Sequence, residues 1–245
     1  MSHSAHSRPS YLRARGTRHR ARAAQSARTH HATVVGSRWE CEGLRRLTFQ
    51  SASVDRDWDL GDRVMLTVDA GIRRQYTVCA LHLARGVFEV LGVAHEGGPG
   101  GRWVRTLAVG DVVTLFGPKS DLDARTVGAQ TLVLLGDETT LGLYEAVNRL
   151  RRGSVRVVGA LEHGAAVRLQ ACELPVLAGL GLFPRDEERP GAALHQWIRE
   201  HDIHTPQTVF FVNGHGAAVR SLRIALLALG VRGVAIRSRA FWGRA

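Results

Sequence analysis

Arg74-Gln75-Tyr76-Thr77-Val78 is the stretch of sequence that decides the fold. Its residue types predict a β-strand, and side chains two positions apart on a strand face the same side. Arg74 and Tyr76 can therefore contact one ligand. An arginine offers a planar charged fork that matches a pyrophosphate, and an aromatic ring can lie along a flat heterocycle. Alone, these residues would equally suit an ordinary strand, so the cofactor-binding interpretation depends on the residues around them.

A glycine-rich segment follows, His95-Glu96-Gly97-Gly98-Pro99-Gly100-Gly101-Arg102-Trp103. It precedes a candidate short helix over residues 102–107. The first turn of a helix has unpaired N–H groups and the positive end of the helix dipole, which together attract phosphate. A flexible surface turn would explain the glycines but not the arginine and aromatic motif upstream. We therefore predict two anion-binding elements in one domain.

The segments around these motifs predict a small β-barrel. Apolar and polar residues nearly alternate over short runs that are separated by Gly and Asp turns, as in half-buried strands. Six such strands favour an antiparallel, closed six-stranded barrel. The six candidate strands are residues 33–35, 44–49, 63–68, 75–79, 87–93 and 111–116.

Strands alternate with helical patterns in the second half of the chain. The apolar segment 131–135 leads into Gly136-Asp137-Glu138-Thr139 and then a helical pattern, and strand-like segments recur at 155–160, 209–212 and 234–237. This alternation predicts a parallel, doubly wound sheet. We therefore expect four regions: a basic disordered tail over 1–32, a β-barrel domain over 33–118, a linker over 119–130, and a nucleotide-binding-like α/β domain over 131–245.

Basic residues are concentrated at the N-terminus. The chain has a formal charge of +11, and residues 1–32 hold seven arginines and no acid. The tail resembles a transit peptide, a disordered extension or the product of a wrongly chosen start codon. Clustered arginines also bind phosphates without sequence preference, but Tyr11 is the one aromatic residue among them to stack on a base. A nucleic-acid-binding module is therefore the last of our hypotheses.

Three cysteines, Cys41, Cys79 and Cys172, lie far apart without a C-x-x-C pair. This spacing predicts neither a disulfide framework nor a zinc site, and we expect no metal. The sequence has no run of about 18 apolar residues to span a bilayer, and its start lacks the hydrophobic region of a secretory signal. We therefore expect a cytoplasmic protein without a membrane partner.

Several motifs, in their order and spacing, resemble the siderophore-interacting proteins, a family of ferredoxin-NADP reductase-like flavoproteins. The resemblance covers about residues 33–245, is weak over 160–205 and excludes the basic tail. It implies FAD in the barrel, NAD(P)H or a ferredoxin as electron donor, and a ferric siderophore as acceptor. The motifs that carry it are residues 74–78, 95–103, 109–118, 136–139, 214–223 and 240–242.

The resemblance implies roles for individual residues. Arg74 would contact the FAD phosphates, Tyr76 the isoalloxazine, and Thr77, the predicted catalytic residue, the region of the flavin N5 atom. The other predicted cofactor-binding residues are His95, Gly97, Gly98, Gly100, Gly101, Gly136, Asp137, Glu138, Thr139, Gly214, His215 and Trp242, and the predicted substrate contacts are Arg239 and Arg244.

Several positions depart from the family pattern. Cys79 stands where the family usually has a second arginine, and a hydroxyl residue near Gly101 is missing. These losses predict weaker FAD binding or a preference for FMN, since a charge-assisted bond is worth about 1–3 kcal/mol. Cys79 itself is either a redox-sensing thiol beside the flavin or an inert buried residue. The further departures are Gly142 for proline, His215 for glutamate and Gly243 for a basic residue.

The leading hypothesis is an FAD-dependent oxidoreductase that passes electrons from NAD(P)H or a ferredoxin to a ferric chelate and so releases iron. One alternative is a diverged member that transforms a small secondary metabolite, which the departures at His215 and Gly243 favour. Another is a non-catalytic carrier of a siderophore or a flavin. The expected partner is a ferric siderophore or another small molecule rather than a nucleic acid.

Overall fold

Two β-sheets, one antiparallel and one parallel, form the framework of the chain. The structure is a computed structural model that describes residues 29–120, 129–151, 155–203, 205 and 207–243. It confirms the predicted fold class, an antiparallel β domain followed by a parallel α/β domain. Within the described ranges, no helix is long and apolar enough to cross a bilayer.

The antiparallel sheet has seven strands, β1 (Thr29–Cys41), β2 (Leu44–Gln50), β3 (Arg63–Asp69), β4 (Ile72–Thr77), β5 (Ala80–His82), β6 (Val87–Val93) and β7 (Val112–Lys119). Their order in the sheet is β4-β3-β7-β1-β2-β6-β5. The expected number of six was wrong by one, because β5 has three residues and is too short to show an alternating pattern. The candidate strand 75–79 ends at Thr77, where the chain turns towards β5.

The last four residues of the expected basic tail, 29–32, belong to β1. Thr29–Thr33 pair antiparallel with Val112–Phe116 of β7, and this ladder orders the start of the strand. The remaining tail, residues 1–28, lies outside the described residues. Helix α1 (Gly98–Thr106) also begins earlier than the candidate helix, with Gly97 as its N-cap and Pro99 in its first turn. A proline is tolerated there because the first N–H groups have no partner in the helix.

The parallel sheet has five strands, β8 (Thr131–Asp137), β9 (Arg156–His163), β10 (Leu180–Pro184), β11 (Thr208–His215) and β12 (Ile236–Trp242). Their order is β10-β9-β8-β11-β12, so the direction of winding reverses between β8 and β11. The carboxyl ends of strands at such a reversal form a crevice that commonly binds ligands. The helices are α2 (Leu141–Leu150), α3 (Ala192–Glu200) and α4 (Gly216–Ala228).

The two domains share a hydrophobic core. Leu44, Leu91 and Val93 of the antiparallel sheet pack in one cluster with Leu141 and Tyr144 of the α/β domain. Each of these side chains is buried. Burial of apolar surface contributes about 25 cal/mol per Å², so the contact between the domains is part of the folded core rather than a loose hinge. We call this cluster the joint core.

A disulfide joins Cys41 to Cys172, and the expectation of no disulfide was wrong. The two residues are 131 positions apart, so local spacing carried no signal of their pairing. Next to the disulfide, Arg168 forms a 2.6 Å ion pair with Glu42 and donates its backbone N–H to the Glu42 carbonyl at 3.0 Å. The turn between β1 and β2 is therefore tied to the α/β domain both covalently and by hydrogen bonding.

Candidate active site

A cleft of about 280 Å³ lies between the antiparallel sheet and the carboxyl ends of the parallel strands. Arg63, Arg74 and Tyr76 line it on one side, and Glu138 and Trp242 line it on the other. The walls therefore combine positive charge, flat aromatic rings and one carboxylate. This combination suits a planar ligand that carries negative charge.

Strand β4 brings Arg74 and Tyr76 to the cleft, together with Gln75 and Thr77. The Tyr76 ring packs against Trp103 of α1, with 5.6 Å between the ring centroids. Burial raises the pKa of the Tyr76 hydroxyl, so it remains a protonated hydrogen-bond donor. The aliphatic part of Arg74 crosses Gly100, where an added Cβ would lie 3.3 Å from the Arg74 Cγ. The glycine therefore leaves room for the guanidinium beside the first turn of α1.

Thr77 lies where the two domains come closest. It is buried and pairs in register with Arg63 of β3. A Cβ added at Gly142 of α2 would come 3.3 Å from the Thr77 carbonyl oxygen. The first turn of α2 thus packs directly against the end of β4, and Thr77 lines the cleft at this contact between the domains.

Glu138 and Arg185 form a buried ion pair in the opposite wall. Arg185 Nη1 donates to both Glu138 carboxylate oxygens, at 3.0 and 2.9 Å, and Arg185 Nε donates to Glu187 at 3.1 Å. Burial and the neighbouring Asp137 raise the pKa of Glu138 to about 7, while Arg185 opposes the rise. The Arg185 guanidinium carbon also lies 5.0 Å from the Trp242 ring centroid. Glu138 therefore partly neutralises the positive charge of Arg185, which lines the cleft.

Asp137 lies behind this wall and positions it. Its carboxylate accepts hydrogen bonds from the Thr139 N–H at 3.0 Å, the His215 N–H at 2.8 Å and the Trp242 indole Nε1–H at 2.8 Å. The Thr139 hydroxyl donates to it as well. Burial raises the pKa of Asp137, and the bonds from Thr139 and Trp242 oppose that rise. Trp242 also makes an edge contact with His215 at 4.6 Å.

The structure brings together some of the predicted site residues and leaves others outside the cleft. The predicted residues that line the cleft are Arg74, Tyr76, Thr77, His95, Gly100, Glu138, Thr139, Arg239 and Trp242. Those that do not line it are Gly97, Gly98, Gly101, Asp137, Gly136, Gly214 and His215. Arg244 lies outside the described residues. Gly101 supports His95, because a Cβ there would lie 2.0 Å from the His95 carbonyl oxygen.

Sequence reasoning missed seven residues of the cleft. Arg63 could have been found by pairing β3 and β4 as a hairpin about residues 70 and 71. That register places Arg63 opposite Thr77. Arg185 gave no such signal, since it follows β10 in a segment without a clear pattern. The seven missed residues are Arg63, Gln75, Leu91, Val93, Gly142, Arg185 and Phe241.

Cys79 does not line the cleft but faces the contact between the domains. Its thiol donates to the Glu89 carbonyl at 3.3 Å, and Arg46 Nη1 lies 3.5 Å from its sulfur. Burial raises the pKa of Cys79 to about 12, which suppresses the reactive thiolate. The arginine that the family usually has here would enter the surroundings of Arg46, which already pairs with Glu89 at 3.0 Å and Glu145 at 2.7 Å. These contacts favour the inert interpretation of Cys79.

Two larger cavities lie outside the cleft. One of about 610 Å³ borders β10 and the end of α3, and one of about 410 Å³ surrounds the Arg46 ion pairs. Across the part of the chain that the structure describes, no group of three or more His, Cys, Asp or Glu side chains could hold a metal ion. Neither of these two cavities is lined by a predicted site residue, so the cleft is the candidate active site.

Comparison with known proteins supports the resemblance predicted from the sequence. Residues 46–122 match the family model described as a siderophore-interacting FAD-binding domain. No curated protein matches the chain. The matched residues include the Arg74 and Tyr76 strand and all of α1, the elements that form one wall of the cleft.

Solved structures share the fold. A siderophore utilization protein from T. fusca is 23% identical with a TM-score of 0.71, over 89% of this chain and 94% of that one. The siderophore-interacting protein SipS from Aeromonas hydrophila is 21% identical with a TM-score of 0.73, over 90% and 93%. The cytochrome P450 reductase GcoB from Amycolatopsis is 23% identical with a TM-score of 0.65, over 87% and 70%. At these identities the likeness shows the two-domain fold.

Proposed function

We propose that the chain is an FAD-dependent oxidoreductase that passes electrons from a reduced nicotinamide nucleotide or a ferredoxin to a ferric chelate. The observation that carries the proposal is the placement of Arg74 and Tyr76 side by side in the cleft, facing the carboxyl ends of the parallel strands. The match of residues 46–122 to a siderophore-interacting FAD-binding domain supports it.

The residues of the cleft fit FAD. Arg74 and the first turn of α1 would hold the pyrophosphate, because Gly100 lets the guanidinium lie beside unpaired helix N–H groups. Tyr76 would lie along the isoalloxazine, and the Thr77 hydroxyl and backbone would hydrogen-bond near its N5 atom. Bound FAD would supply both two-electron and one-electron transfer. Trp242, held by Asp137, would exclude water from the other side of the ring.

The α/β domain would receive the electron donor. Glu138 and Thr139 stand at the carboxyl end of β8, beside the reversal in strand order where nucleotides commonly bind. Arg239 on the cleft wall, and Arg244 from the sequence pattern, would contact an anionic chelate. Reduction would release iron, since siderophore oxygens hold ferric iron far more tightly than ferrous iron. We place this reaction in the cytoplasm.

The visible spectrum of the purified protein tests this proposal. We expect a flavin spectrum, or its appearance with a rise in Tm when FAD is added, because a ligand of the native state must stabilise it. Anaerobic NADPH, or a reduced ferredoxin if NADPH is inactive, should bleach the flavin, and a ferric trihydroxamate should restore its colour. A protein that neither perturbs the FAD spectrum nor gains stability from FAD would overturn the proposal. Chelate binding without flavin reoxidation would instead identify a carrier.

A further inference from the structure

The C-terminal end of α4 and the turn that follows it form an exposed apolar protrusion. Four large aliphatic side chains point to solvent there: Ile224 is 68% exposed, Leu227 43%, Leu229 58% and Val234 85%. We call these four residues the aliphatic tip. Their neighbours Leu222, Leu226 and Val231 are buried and hold the protrusion to the domain. The tip itself therefore contributes little to the core.

Ile224, Leu227 and the turn that carries Val234 form one surface, and Leu229 lies at the end of the helix beside them in sequence. Ile224 and Leu227 are three positions apart on α4 and so share one face of the helix. A Cβ added at Gly233 would lie 3.9 Å from the Leu227 Cδ2 atom and 3.9 Å from Arg223 Nη2. The turn that carries Val234 therefore packs beside Leu227 and Arg223. A contiguous apolar patch on a protein surface commonly marks an interaction site.

The charged residues that adjoin the tip along the chain are arginines. Arg223 precedes the tip and Arg232 lies between Leu229 and Val234, whereas residues 203–245 contain no Asp or Glu at all. A second copy of the chain would bring the same arginines to the contact, and like charges would repel. Charge complementarity therefore favours an anionic occupant of this surface.

We propose that the aliphatic tip docks on a bilayer that contains anionic phospholipids, with Arg223 and Arg232 among the headgroups. Protein surfaces that bind a membrane interface combine aliphatic side chains with arginine or lysine. The aliphatic side chains reach the boundary of the acyl chains, and the cations lie among the headgroups. A stable protein interface usually buries about 800 Å² per partner and uses aromatic anchors. The tip has no aromatic residue, and none of the three cavities described above reaches it.

Docking of this kind leaves the cleft accessible. Helix α4 has 13 residues and is therefore about 20 Å long. Its first residue follows His215, which contacts Trp242, so the cleft lies at the opposite end of the helix from the tip. The proposed contact is peripheral and needs no membrane-spanning segment. It is also independent of the proposed flavin chemistry.

Vesicle flotation tests the proposal on the full chain. We expect binding to vesicles of phosphatidylcholine with phosphatidylglycerol and much weaker binding to phosphatidylcholine alone. Arg223→Gln with Arg232→Gln should weaken binding about 30-fold, because each arginine near an anionic membrane surface strengthens binding by a factor of about five. Leu227→Ser with Val234→Ser should weaken it as well. The matched control is Val109→Ser with Val112→Ser, which changes two aliphatic residues of similar exposure, 63% and 64%, beside Asp111.

The comparison between variants isolates the tip, because residues 1–28 bring seven further arginines to every protein tested. A second measurement uses the unchanged chain: amide hydrogen exchange over residues 224–234 should slow when anionic vesicles are added. Equal binding of the tip and control variants, or no protection of 224–234, would overturn the proposal. So would concentration-dependent dimers that the tip variants abolish, or equal binding to neutral vesicles. Capture of the tip by an acidic protein instead of vesicles would overturn it too.

Discussion

The indole Nε1 of Trp242 donates a 2.8 Å hydrogen bond to Asp137, a residue 105 positions earlier in the chain. Asp137 ends β8, and Trp242 ends β12 two strands away in the sheet. The same carboxylate accepts the His215 N–H at the start of α4. One buried charge therefore holds the last aromatic residue of the cleft and the turn beside it, without lining the cleft itself.

Trp242→Phe removes this hydrogen bond and keeps an aromatic ring. Because the acceptor is a buried carboxylate, we expect a loss of about 1.5–3 kcal/mol in the free energy of unfolding, measured by urea denaturation. Trp39→Phe is the control, since Trp39 is 47% exposed and should tolerate the change. Equal stability of the two variants would contradict the role of Asp137.

Arg74→Ala should weaken FAD binding by about 10- to 100-fold, the value of one charge-assisted contact to a phosphate. Isothermal titration of the apoprotein with FAD measures the change. Arg73→Ala is the matched control on the next position of β4, because the Arg73 guanidinium lies 3.8 Å over the Phe116 ring and does not line the cleft. An equal loss in both variants would mean that general positive charge, rather than the placement of Arg74, binds the cofactor.

Stability should fall as pH rises through the titration of Glu138. Its pKa is raised from 4.5 to about 7, chiefly by burial, so the folded state binds the proton more tightly than the unfolded state. This stabilisation is complete below pH 4.5 and is lost as pH approaches 7, by at most about 3 kcal/mol. Urea denaturation across this window should show a decline that Glu138→Gln flattens. Parallel pH profiles for the two proteins would contradict the raised pKa.

Glu138→Gln should also change which chelates bind, if the proposed function is correct. The substitution removes the carboxylate that pairs with Arg185, so the cation becomes available to an anionic ligand. We expect roughly tenfold tighter binding of a ferric tris-catecholate and little change for a nearly neutral ferric trihydroxamate. Glu187→Gln is the control, because Glu187 contacts the same arginine from an exposed position. Tighter binding of both chelates would exclude a charge effect.

The disulfide predicts a definite thiol count. Unfolded protein without reductant should show one free thiol, from Cys79, and reduced protein should show three. Cys172→Ser should lower the stability of the oxidised protein by about 4–5 kcal/mol, as expected for a closed loop longer than 100 residues. The difference should vanish in dithiothreitol. A count of three thiols without reductant would contradict the bond between Cys41 and Cys172. Such a result is typical of proteins from a reducing compartment, where thiols stay reduced.

The sequence predicted those parts of the fold that short-range patterns specify. Alternation of apolar residues located most strands, and the order of elements predicted the parallel sheet. The two-residue period of a strand predicted that Arg74 and Tyr76 would face one ligand, and both line the cleft, as do Gln75 and Thr77. Gly97-Gly98-Pro99-Gly100 marked the start of a helix, although α1 begins at Gly98, with Gly97 as its N-cap, rather than after the glycines.

Contacts between distant segments could not be read from local pattern. Arg185 reaches the cleft because β10 lies beside β9 in the sheet, and nothing within residues 180–184 signals that pairing. The bond between Cys41 and Cys172 depends on how the two domains pack. The sequence left Cys79 either beside the flavin or inert and buried, and only the packing of β5 and β6 shows that its thiol donates to the Glu89 carbonyl outside the cleft.

The joint core of Leu44, Leu91, Val93, Leu141 and Tyr144 has a consequence for evolution. The packing of the two halves is interdependent, because an exchanged α/β domain would place different side chains against Leu91 and Val93. Overpacking or a cavity at such a contact costs about 1–5 kcal/mol. Substitutions at Leu91 or Val93 should therefore be accompanied by changes at Leu141 or Tyr144, and lineages that exchange domains must exchange this surface with them.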